Sequence, residues 1–341
     1  MKSNVIGFMR RAKTPQHLAE LTAILCKNYG INLLYFNPGD ISTETGKIKG
    51  QILLDNKWQD VSHDIPPFID LRSPVFHVKR YRKKLEFLKQ NSILSVDKRL
   101  PIPKDKLHYY FGDDPEVSKY LIPSQRINNI KDFFSFLNEY KTVVVKPINS
   151  NQGRNVSIIS KHGFGYLLGQ NKEEQKLRKS QLKKKIKSLF KSNTMIVQKY
   201  IKSKTPSGHP FDCRIHVEKN GEGKWSNPEN FFRIGIGQKV ISNVNQGGGI
   251  STENVFLNSY YKNEYQNIKT EIRSIVNTLP YKIEKKLGKQ YMTFGFDFGI
   301  DENGKLFLFE INDNPLIAPI RSKVAMLRVK YYKYILSNLN N

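Results

Sequence analysis

The residues with the clearest chemical potential lie near the C-terminal end, where oxygen-bearing side chains interrupt apolar runs. Glu310 and Asn312 are separated by one apolar residue, and Asp297 lies on the apolar run before the turn at residues 301–304. Side chains two positions apart in a strand share a face, and Asp297 on the partner strand of the hairpin can reach that face if the register allows. Two carboxylates and an amide oxygen suit Mg²⁺, which takes its other ligands from water and substrate phosphates. The pattern therefore predicts a magnesium site, and the alternative is an ordinary hairpin with one polar face.

A second candidate is a lysine at the end of a β-branched run. Residues 142–145 predict a buried strand that ends at Lys146, and the polar loop that follows contains Ser150, Gly153 and Arg154. An ammonium group in this place can meet phosphate oxygens while backbone N–H groups of the loop close over them. The alternative is a strand-end lysine that extends its side chain to water.

Two further features could contact phosphate or carboxylate groups. Asp212 and Arg214 alternate onto one face, where a guanidinium presents a planar fork to an anion. Arg233 precedes by ten residues a polar segment that begins at Asn243, and the consecutive glycines 247–249 permit close approach of the backbone to a ligand. A partly exposed ion pair and a flexible loop are the respective alternatives.

Composition restricts the class of protein. The chain has 341 residues, of which 38% are hydrophobic and 11% aromatic, so it is expected to fold, as about two domains. The 56 Lys and Arg against 30 Asp and Glu give a net charge of +26, which favours an anionic partner such as a nucleotide, a polynucleotide, an acidic polymer or a membrane surface. Two distant cysteines indicate neither a disulfide framework nor a thiolate zinc site.

The sequence also argues against several other classes. It has no signal-peptide core and no run of eighteen apolar residues, so we expect a soluble, cytoplasmic protein. It contains neither the glycine-flanked serine motif of a nucleophile elbow nor the P-loop motif. Hydrolase and P-loop functions are therefore unsupported.

The candidate residues must be positioned by two successive α/β units. Apolar runs at Val5–Met9 and at residues 31–36 flank a helical spacing within residues 15–29, which predicts a β-α-β start. A hairpin is predicted with strands at residues 51–54 and 57–61 around Asp55 and Asn56, followed by a basic helical stretch at residues 76–90.

After the prolines at 101 and 103 the pattern begins again. Helices are predicted at residues 105–110, 130–137, 172–191 and, ending before Pro280, 268–279; strands are predicted at 142–145, 156–160, 195–198, 213–218, 231–236, 294–298 and 306–311. The helix at 172–191 carries nine basic residues against two acidic ones. Its lysine-rich face is interpreted as solvated, or alternatively as a docking surface for an acidic polymer or nucleic acid.

The hairpin motif, Asp297 followed by Glu310-x-Asn312-x-x-Pro315, resembles the metal-binding hairpin of the ATP-grasp superfamily. The other candidate segments occur in the order typical of that superfamily across residues 98–320, and residues 211–214 and 243–248 are most similar to the YheC/YheD endospore coat-associated family. The resemblance implies an α/β (α+β) ATP-grasp fold with an N-terminal α/β pre-ATP-grasp domain at residues 1–97. The ATP-grasp domain would occupy residues 98–341, with ATP clamped between subdomains at approximately 98–200 and 201–341.

The resemblance also implies a role for each candidate residue. Metal binding, of one or two Mg²⁺ ions, is implied for Asp297, Glu310 and Asn312. ATP binding is implied for Lys106, Lys146, Ser150, Gly153, Arg154, Gln198, Lys199, Tyr200, Ile201 and Asp212, with adenine at residues 198–201. Catalytic roles are implied for Arg233, Arg214 and Asn243. Taken alone, Lys106 is typical of a solvated helix lysine, and residues 195–201 of a core strand.

The implied activity is that of an ADP-forming carboxylate–amine ligase that works through an acylphosphate. One alternative is an ATP-binding structural or interaction protein of spore assembly without turnover, and another is a basic nucleic-acid-binding protein. The substrates cannot be identified from the sequence, although the basic charge favours an acidic acceptor such as a peptide or polymer. Spore association is compatible with the expected cytoplasmic location.

Overall fold

Three β-sheets and the helices packed on them form the described part of the chain. The computed structural model describes residues 4–98, 100, 102–148, 156–170, 173–192, 194–236 and 248–340. The second sheet has an apolar core of its own, whereas buried residues of the first and third sheets form one continuous apolar cluster.

The first sheet is built from the N-terminal residues. Its elements are β1 (Val5–Met9), α1 (His17–Lys27), β2 (Asn32–Phe36), β3 (Lys47–Leu54), β4 (Lys57–Asp64), β5 (Phe68–Leu71), α2 (Arg82–Asn91) and β6 (Ile93–Leu94). The strand order is β4-β3-β2-β1-β5-β6, and β1 pairs in parallel with both β2 and β5, which buries all five of its residues. The predicted β-α-β start is confirmed.

The predicted hairpin of the first sheet is also confirmed, with longer strands than expected. Asp55 and Asn56 connect β3 to β4 with φ angles of 47° and 58°. Positive φ at both central residues is typical of the type I′ turn, whose twist matches that of the flanking strands. The basic stretch after β5 is only partly the predicted helix, since two short 3₁₀ segments precede α2.

The second sheet is antiparallel throughout. After α3 (Leu107–Phe111) and α4 (Pro115–Ser118), its elements are β7 (Ser124–Arg126), α5 (Ile130–Tyr140), β8 (Thr142–Pro147), β9 (Ser157–His162), β10 (Gly165–Gln170), β11 (Glu173–Leu177), α6 (Lys179–Ser192) and β12 (Met195–Lys199). The order is β11-β10-β9-β8-β12-β7. Helices α5 and α6 bury Phe133, Leu137, Leu182 and Ile186 against it.

The third sheet carries the predicted metal hairpin. Its elements are β13 (Phe211–Lys219), β14 (Trp225–Ser226), β15 (Asn230–Ile234), β16 (Gly249–Thr252), α7 (Glu253–Tyr260), α8 (Tyr265–Leu287), β17 (Thr293–Ile300), β18 (Leu306–Asn312) and α9 (Arg321–Asn340). The order is β16-β15-β13-β17-β18, with β14 paired to β13. Helix α8 packs on this sheet, whereas α9 buries Val329, Tyr332 and Leu336 against residues of the first sheet.

Two helix predictions are corrected by the structure. The first part of residues 172–191 is not helical, because Glu173–Leu177 pairs with β10 as an edge strand. Helix α8 does not end before Pro280 but continues to Leu287. The proline removes one backbone donor, and the burial of Leu279 and Ile283 on either side of it holds the helix together.

The second and third sheets meet where β12 ends and β18 passes. The N–H of Leu308 donates to the carbonyl oxygen of Tyr120 at 2.8 Å. Ile201, which follows β12, lies in a buried cluster with Ile122 and Phe307. The predicted adenine segment and the predicted metal hairpin are therefore neighbours in space.

The hairpin of β17 and β18 requires glycine at position 299, because a side chain there would meet Phe309. A β-bulge interrupts the pairing of β17 with β18 beside Asp297, and it leaves Phe309 without a directly opposed residue. A Cβ atom on Gly299 would overlap Cζ of the Phe309 ring. We expect Gly299→Ala to lower the free energy of unfolding by about 1–3 kcal/mol, since an inserted methyl forces the ring to move.

Urea unfolding of the purified protein measures this effect. The double variant Gly299→Ala/Phe309→Leu should recover most of the loss, because the smaller side chain vacates the contested space. A single variant that unfolds at the same urea concentration as the parent would contradict the assignment.

Candidate active site

The register of the hairpin brings the three predicted metal residues onto one face. Asp297 on β17 is directly opposite Glu310 on β18, and Gly295 is opposite Asn312. Directly paired residues of antiparallel strands share a face, and so do residues two apart in one strand. The predicted convergence of Asp297, Glu310 and Asn312 on one face is confirmed, while their role as metal ligands remains a prediction.

Asp297 is held by two arginines. Arg214, directly opposite it on β13, donates from Nε to Oδ1 and from Nη2 to Oδ2, the latter at 3.0 Å. Arg233 on β15 places its Nη2 3.0 Å from the same Oδ2. Burial raises the pKa of Asp297, but the charges of Arg214 and Arg233 outweigh it and hold that pKa below its usual range. The carboxyl group is therefore ionised at neutral pH.

Arg233 also joins Asp212, so that four side chains form one ionic cluster across three strands. Its Nε donates to Oδ1 of Asp212 at 2.6 Å, and the two residues are paired in the ladder between β13 and β15. Burial lowers the pKa of Arg233, and the two carboxylates more than compensate, so the pKa is raised above its ordinary value. The sequence predicted that Asp212 and Arg214 share a face, which is confirmed. The ion pair of Arg214 with Asp297 is buried, whereas that of Arg233 with Asp212 is partly exposed.

Gly295 makes room for this cluster. A Cβ atom at that position would lie 3.1 Å from Cδ and 3.2 Å from Nη1 of Arg214, and 2.6 Å from Cβ of Pro315. The guanidinium of Arg214 thus lies over the bare backbone of β17, under Pro315. Its Nη1 is buried and has no hydrogen-bond partner among the described residues.

The donor chemistry of this face fits Mg²⁺. A carboxylate offers about four lone pairs, and the arginine contacts of Asp297 use three of them, one on Oδ1 and two on Oδ2. Asn312 Oδ1 accepts from the N–H of Asn314 at 2.9 Å and retains a second lone pair. No cluster of three or more His, Cys, Asp or Glu side chains suited to a metal occurs in the described ranges, so a cation here requires the amide oxygen of Asn312.

The second sheet contributes a buried lysine. Lys146 lies opposite Ile196 in the ladder between β8 and β12, and its Nζ donates to Oε1 of Gln198 at 2.9 Å. Both residues are less than a tenth exposed. The sequence alternative, a lysine extended to water, is therefore wrong, and the ammonium group is kept inside by an amide oxygen.

The segment after β12 has backbone groups suited to a planar base. The N–H groups of Lys199 and Tyr200 donate to the carbonyl oxygens of Pro123 and Thr142 at 2.9 and 3.1 Å. The N–H of Ile201 makes no hydrogen bond with the residues that the structure describes. A free donor beside apolar side chains is what recognition of adenine requires.

The structure does not bring every predicted residue together. Lys106 is exposed, and its Nζ lies 5.3 Å from the centre of the Tyr109 ring. The predicted residues Ser150, Gly153, Arg154 and Asn243 lie outside the described residues.

Sequence reasoning missed a buried ionic network behind the site. Arg328 on α9 lies between Asp70 on β5 and Glu218 on β13, with N–O distances of 3.0 to 3.2 Å. Asp70 also binds Arg10, and Glu218 also contacts His216 at 2.8 Å. The available signal was Asp70, a carboxylate between apolar residues, whereas Glu218 is followed by polar residues and gave no comparable signal.

Residues 97–337 match the family described as YheC/D like ATP-grasp. The chain belongs to this ATP-grasp family. It is 23% identical over 324 residues to the endospore coat-associated protein YheC of Bacillus subtilis (strain 168), which covers 91% of this chain and 88% of YheC.

Solved structures share the fold of this family member at low identity. The ATP-grasp ligase PsnB, complexed with the precursor peptide PsnA2 and AMPPNP, matches with a TM-score of 0.54 at 11% identity, covering all of both chains. The D-cycloserine synthetase DcsG matches with a TM-score of 0.53 at 11% identity over 96% of this chain and 99% of its own. The α/β ATP-grasp fold predicted from the sequence is thereby confirmed. Across the described residues, no helix has the length and apolar character to cross a membrane.

The ionic cluster predicts that substitutions at Asp297 and at the opposed Glu310 lower the free energy of unfolding by different amounts. Asp297→Asn keeps the size of the side chain but leaves Arg214 and Arg233 facing a neutral group, so we expect the free energy of unfolding to fall by about 3–5 kcal/mol. Glu310→Gln, on the opposed and less buried position, is the matched control and should cost less than half as much. Chemical denaturation at pH 7 compares the two, and equal losses would contradict the central place of Asp297.

His216 predicts how stability changes with pH. Burial lowers its pKa, and the hydrogen bond and charge of Glu218 oppose this only in part. The unfolded state therefore binds a proton that the folded state rejects, so stability should fall as the pH drops below about 6.5. The free energy of unfolding, measured from pH 7.5 to 5.5, should decrease less steeply in His216→Gln; identical slopes would contradict this.

Proposed function

We propose that this protein is an ATP- and Mg²⁺-dependent carboxylate–amine ligase that forms ADP through an acylphosphate. The observation that carries the proposal is the register that places Asp297, Glu310 and Asn312 on one face beside Arg214 and Arg233. Membership of the ATP-grasp family supports it, and so does the ligase activity named for the solved structures of the same fold.

The reaction we propose has two transfers. A substrate carboxylate oxygen attacks the γ-phosphorus of ATP and ADP leaves, which gives a mixed anhydride of carboxylic and phosphoric acid. The nitrogen of an amine then attacks the acyl carbon, phosphate leaves, and the amine loses a proton. Phosphoryl transfer asks a protein mainly for positioning and for neutralisation of charge.

The chain's own residues supply both requirements. We assign adenine to residues 198–201, where the N–H of Ile201 is the free donor, and phosphate contacts to Lys146, whose buried ammonium can exchange its bond to Gln198 for a phosphate oxygen. Nη1 of Arg214 has no hydrogen-bond partner within the described part of the chain, and a phosphate oxygen would satisfy it. Arg233 is fixed by two carboxylates and stabilises charge that develops on the transferred group.

Mg²⁺, when bound by Asp297, Glu310 and Asn312, would draw charge from the phosphates and orient them. The domain division follows the same proposal, with a pre-ATP-grasp domain at residues 1–97 and an ATP-grasp domain at 98–341. Lys106, the loop residues Ser150, Gly153 and Arg154, and Asn243 complete the proposed nucleotide and substrate site.

Release of ADP tests this function. The protein is incubated with ATP, Mg²⁺ and pooled carboxylates and amines, and we expect ADP and phosphate to form only when both substrate classes are present. Lys146→Met should reduce turnover at least a hundredfold by removing the phosphate contact, and Glu310→Gln should do the same while raising the Mg²⁺ concentration required. Lys184→Met, on the exposed face of α6, is the matched control and should leave the rate unchanged.

A second candidate is an ATP-binding protein of spore assembly that does not turn over. It is favoured by the name of the relative, an endospore coat-associated protein, which describes an association rather than a reaction. Protection of the protein against unfolding by ATP and Mg²⁺, with no ADP formed in any mixture, would support this candidate and contradict the ligase.

A further inference from the structure

A cationic residue that has no acidic partner among the described residues lies between the first sheet and the metal hairpin. Strands β1 and β5 are parallel neighbours, but β1 connects through α1 to β2 on its other side. The connections that leave the carboxyl ends of β1 and β5 therefore run to opposite sides and leave a crevice between them. Open α/β sheets bind ligands in crevices of this kind. Arg10 follows β1 at this edge, and Arg72 follows β5.

The charges around this edge do not balance. Arg10 and Arg328 both bind Asp70, and Arg328 also binds Glu218, so two arginines use both carboxylates. Arg72 forms no ion pair with any residue that the structure describes. Its hydrogen bond there is a neutral one, from Nε to Oδ1 of Asn314.

Other positive charges also surround Arg72. Burial and the charges of Arg10 and Arg328 lower the pKa of Arg72 to about 10, and Asp70 opposes this in part. The guanidinium remains protonated at neutral pH, and the burial is partial, since more than a third of the surface of Arg72 stays exposed to solvent. Because Arg72 lies near the positive charges of Arg10 and Arg328, an anion from outside the protein would be bound favourably there.

The position of Arg72 relates it directly to the candidate active site. Asn314, which binds its Nε, donates its own N–H to Oδ1 of Asn312. The next residue, Ser73, donates to Oδ1 of Asp313 at 3.0 Å. The segment after β5 is thus fixed to the loop after β18, and neither Nη group of Arg72 has a hydrogen-bond partner among the described residues.

We propose that Arg72 binds a second carboxylate of the substrate, one other than the carboxylate that receives phosphate. The planar fork of a guanidinium matches a carboxylate with two parallel hydrogen bonds. The substrate of the ligase is then acidic, a dicarboxylic acid or a peptide with an acidic residue at the reacting end. Only this identification of the anion as a substrate rests on the proposed function.

Titration calorimetry on the full chain tests the site without turnover. The protein is saturated with AMPPNP and Mg²⁺ and titrated with glutarate or with pentanoate, which has the same number of carbons and one carboxylate. We expect glutarate to bind about tenfold more tightly than pentanoate, the gain expected of a charge-assisted contact. Arg72→Gln should abolish this difference, and Arg72→Lys should retain part of it.

Controls separate this inference from general electrostatics and from the nucleotide site. Arg178→Gln removes the same charge from an exposed position before α6 and should leave glutarate binding unchanged. Thermal unfolding confirms that each variant is folded. Affinity for AMPPNP should stay within twofold in Arg72→Gln, because the residue is assigned to the substrate and not to ATP.

Three results would overturn the proposal: glutarate binding no tighter than pentanoate binding, glutarate affinity unchanged in Arg72→Gln, or a loss of AMPPNP affinity in that variant. The same titrations are made without nucleotide. A protein that binds glutarate through Arg72 but neither binds AMPPNP nor forms ADP would contradict the ligase and retain the anion site.

Discussion

Arg328 is buried between two carboxylates that belong to different sheets, and the relative placement of those sheets depends on it. Asp70 belongs to the first sheet and Glu218 to the third, and all three residues are 5% exposed or less. Moving a charged group out of water costs free energy unless oppositely charged partners are well placed. Displacement of Asp70, Glu218 or Arg328 would therefore leave the other two buried without their full set of partners. Tyr332, one helical turn further along α9, adds a hydrogen bond to Asp70.

The candidate site extends from this network along the same strand. Residues two apart on a strand share a face, so Glu218, His216, Arg214 and Asp212 follow one another on one side of β13. Glu218 and His216 face the network, whereas Arg214 binds Asp297 and Asp212 binds Arg233. On the first sheet, Asp70 and Arg72 are likewise two residues apart. The network therefore positions residues of the candidate site from two directions.

Much of this arrangement could be predicted from the sequence, wherever local periodicity was sufficient. The alternation around Glu310 and the turn after Ile300 predicted the hairpin, and the β-branched run before Lys146 predicted its strand. The bulge at Phe309 could not be predicted, because it depends on the space left by a glycine on the partner strand. Similarly, residues 173–177 have the composition of a helix, and only their pairing with β10 makes them a strand.

The partners of charged groups were the hardest to predict. From the sequence, Arg214 and Arg233 were each predicted to contact a phosphate or carboxylate group of a ligand. The structure pairs both of them with Asp297. Sequence spacing shows which face a side chain occupies on its own strand, but not which strand lies next to it. The order β15-β13-β17 decides these contacts, and that order results from long-range packing.

The packing of α9 on the first sheet has a consequence for biosynthesis. During translation, Ile6, Phe8 and Phe68 leave the ribosome long before the helix that covers them. Until then the part of this apolar surface that α1 does not cover stays exposed, and a contact between segments so distant in sequence forms slowly. The emerging chain therefore presents an apolar surface to which chaperones can bind. The first and third sheets become fully ordered only after α9 has been synthesised.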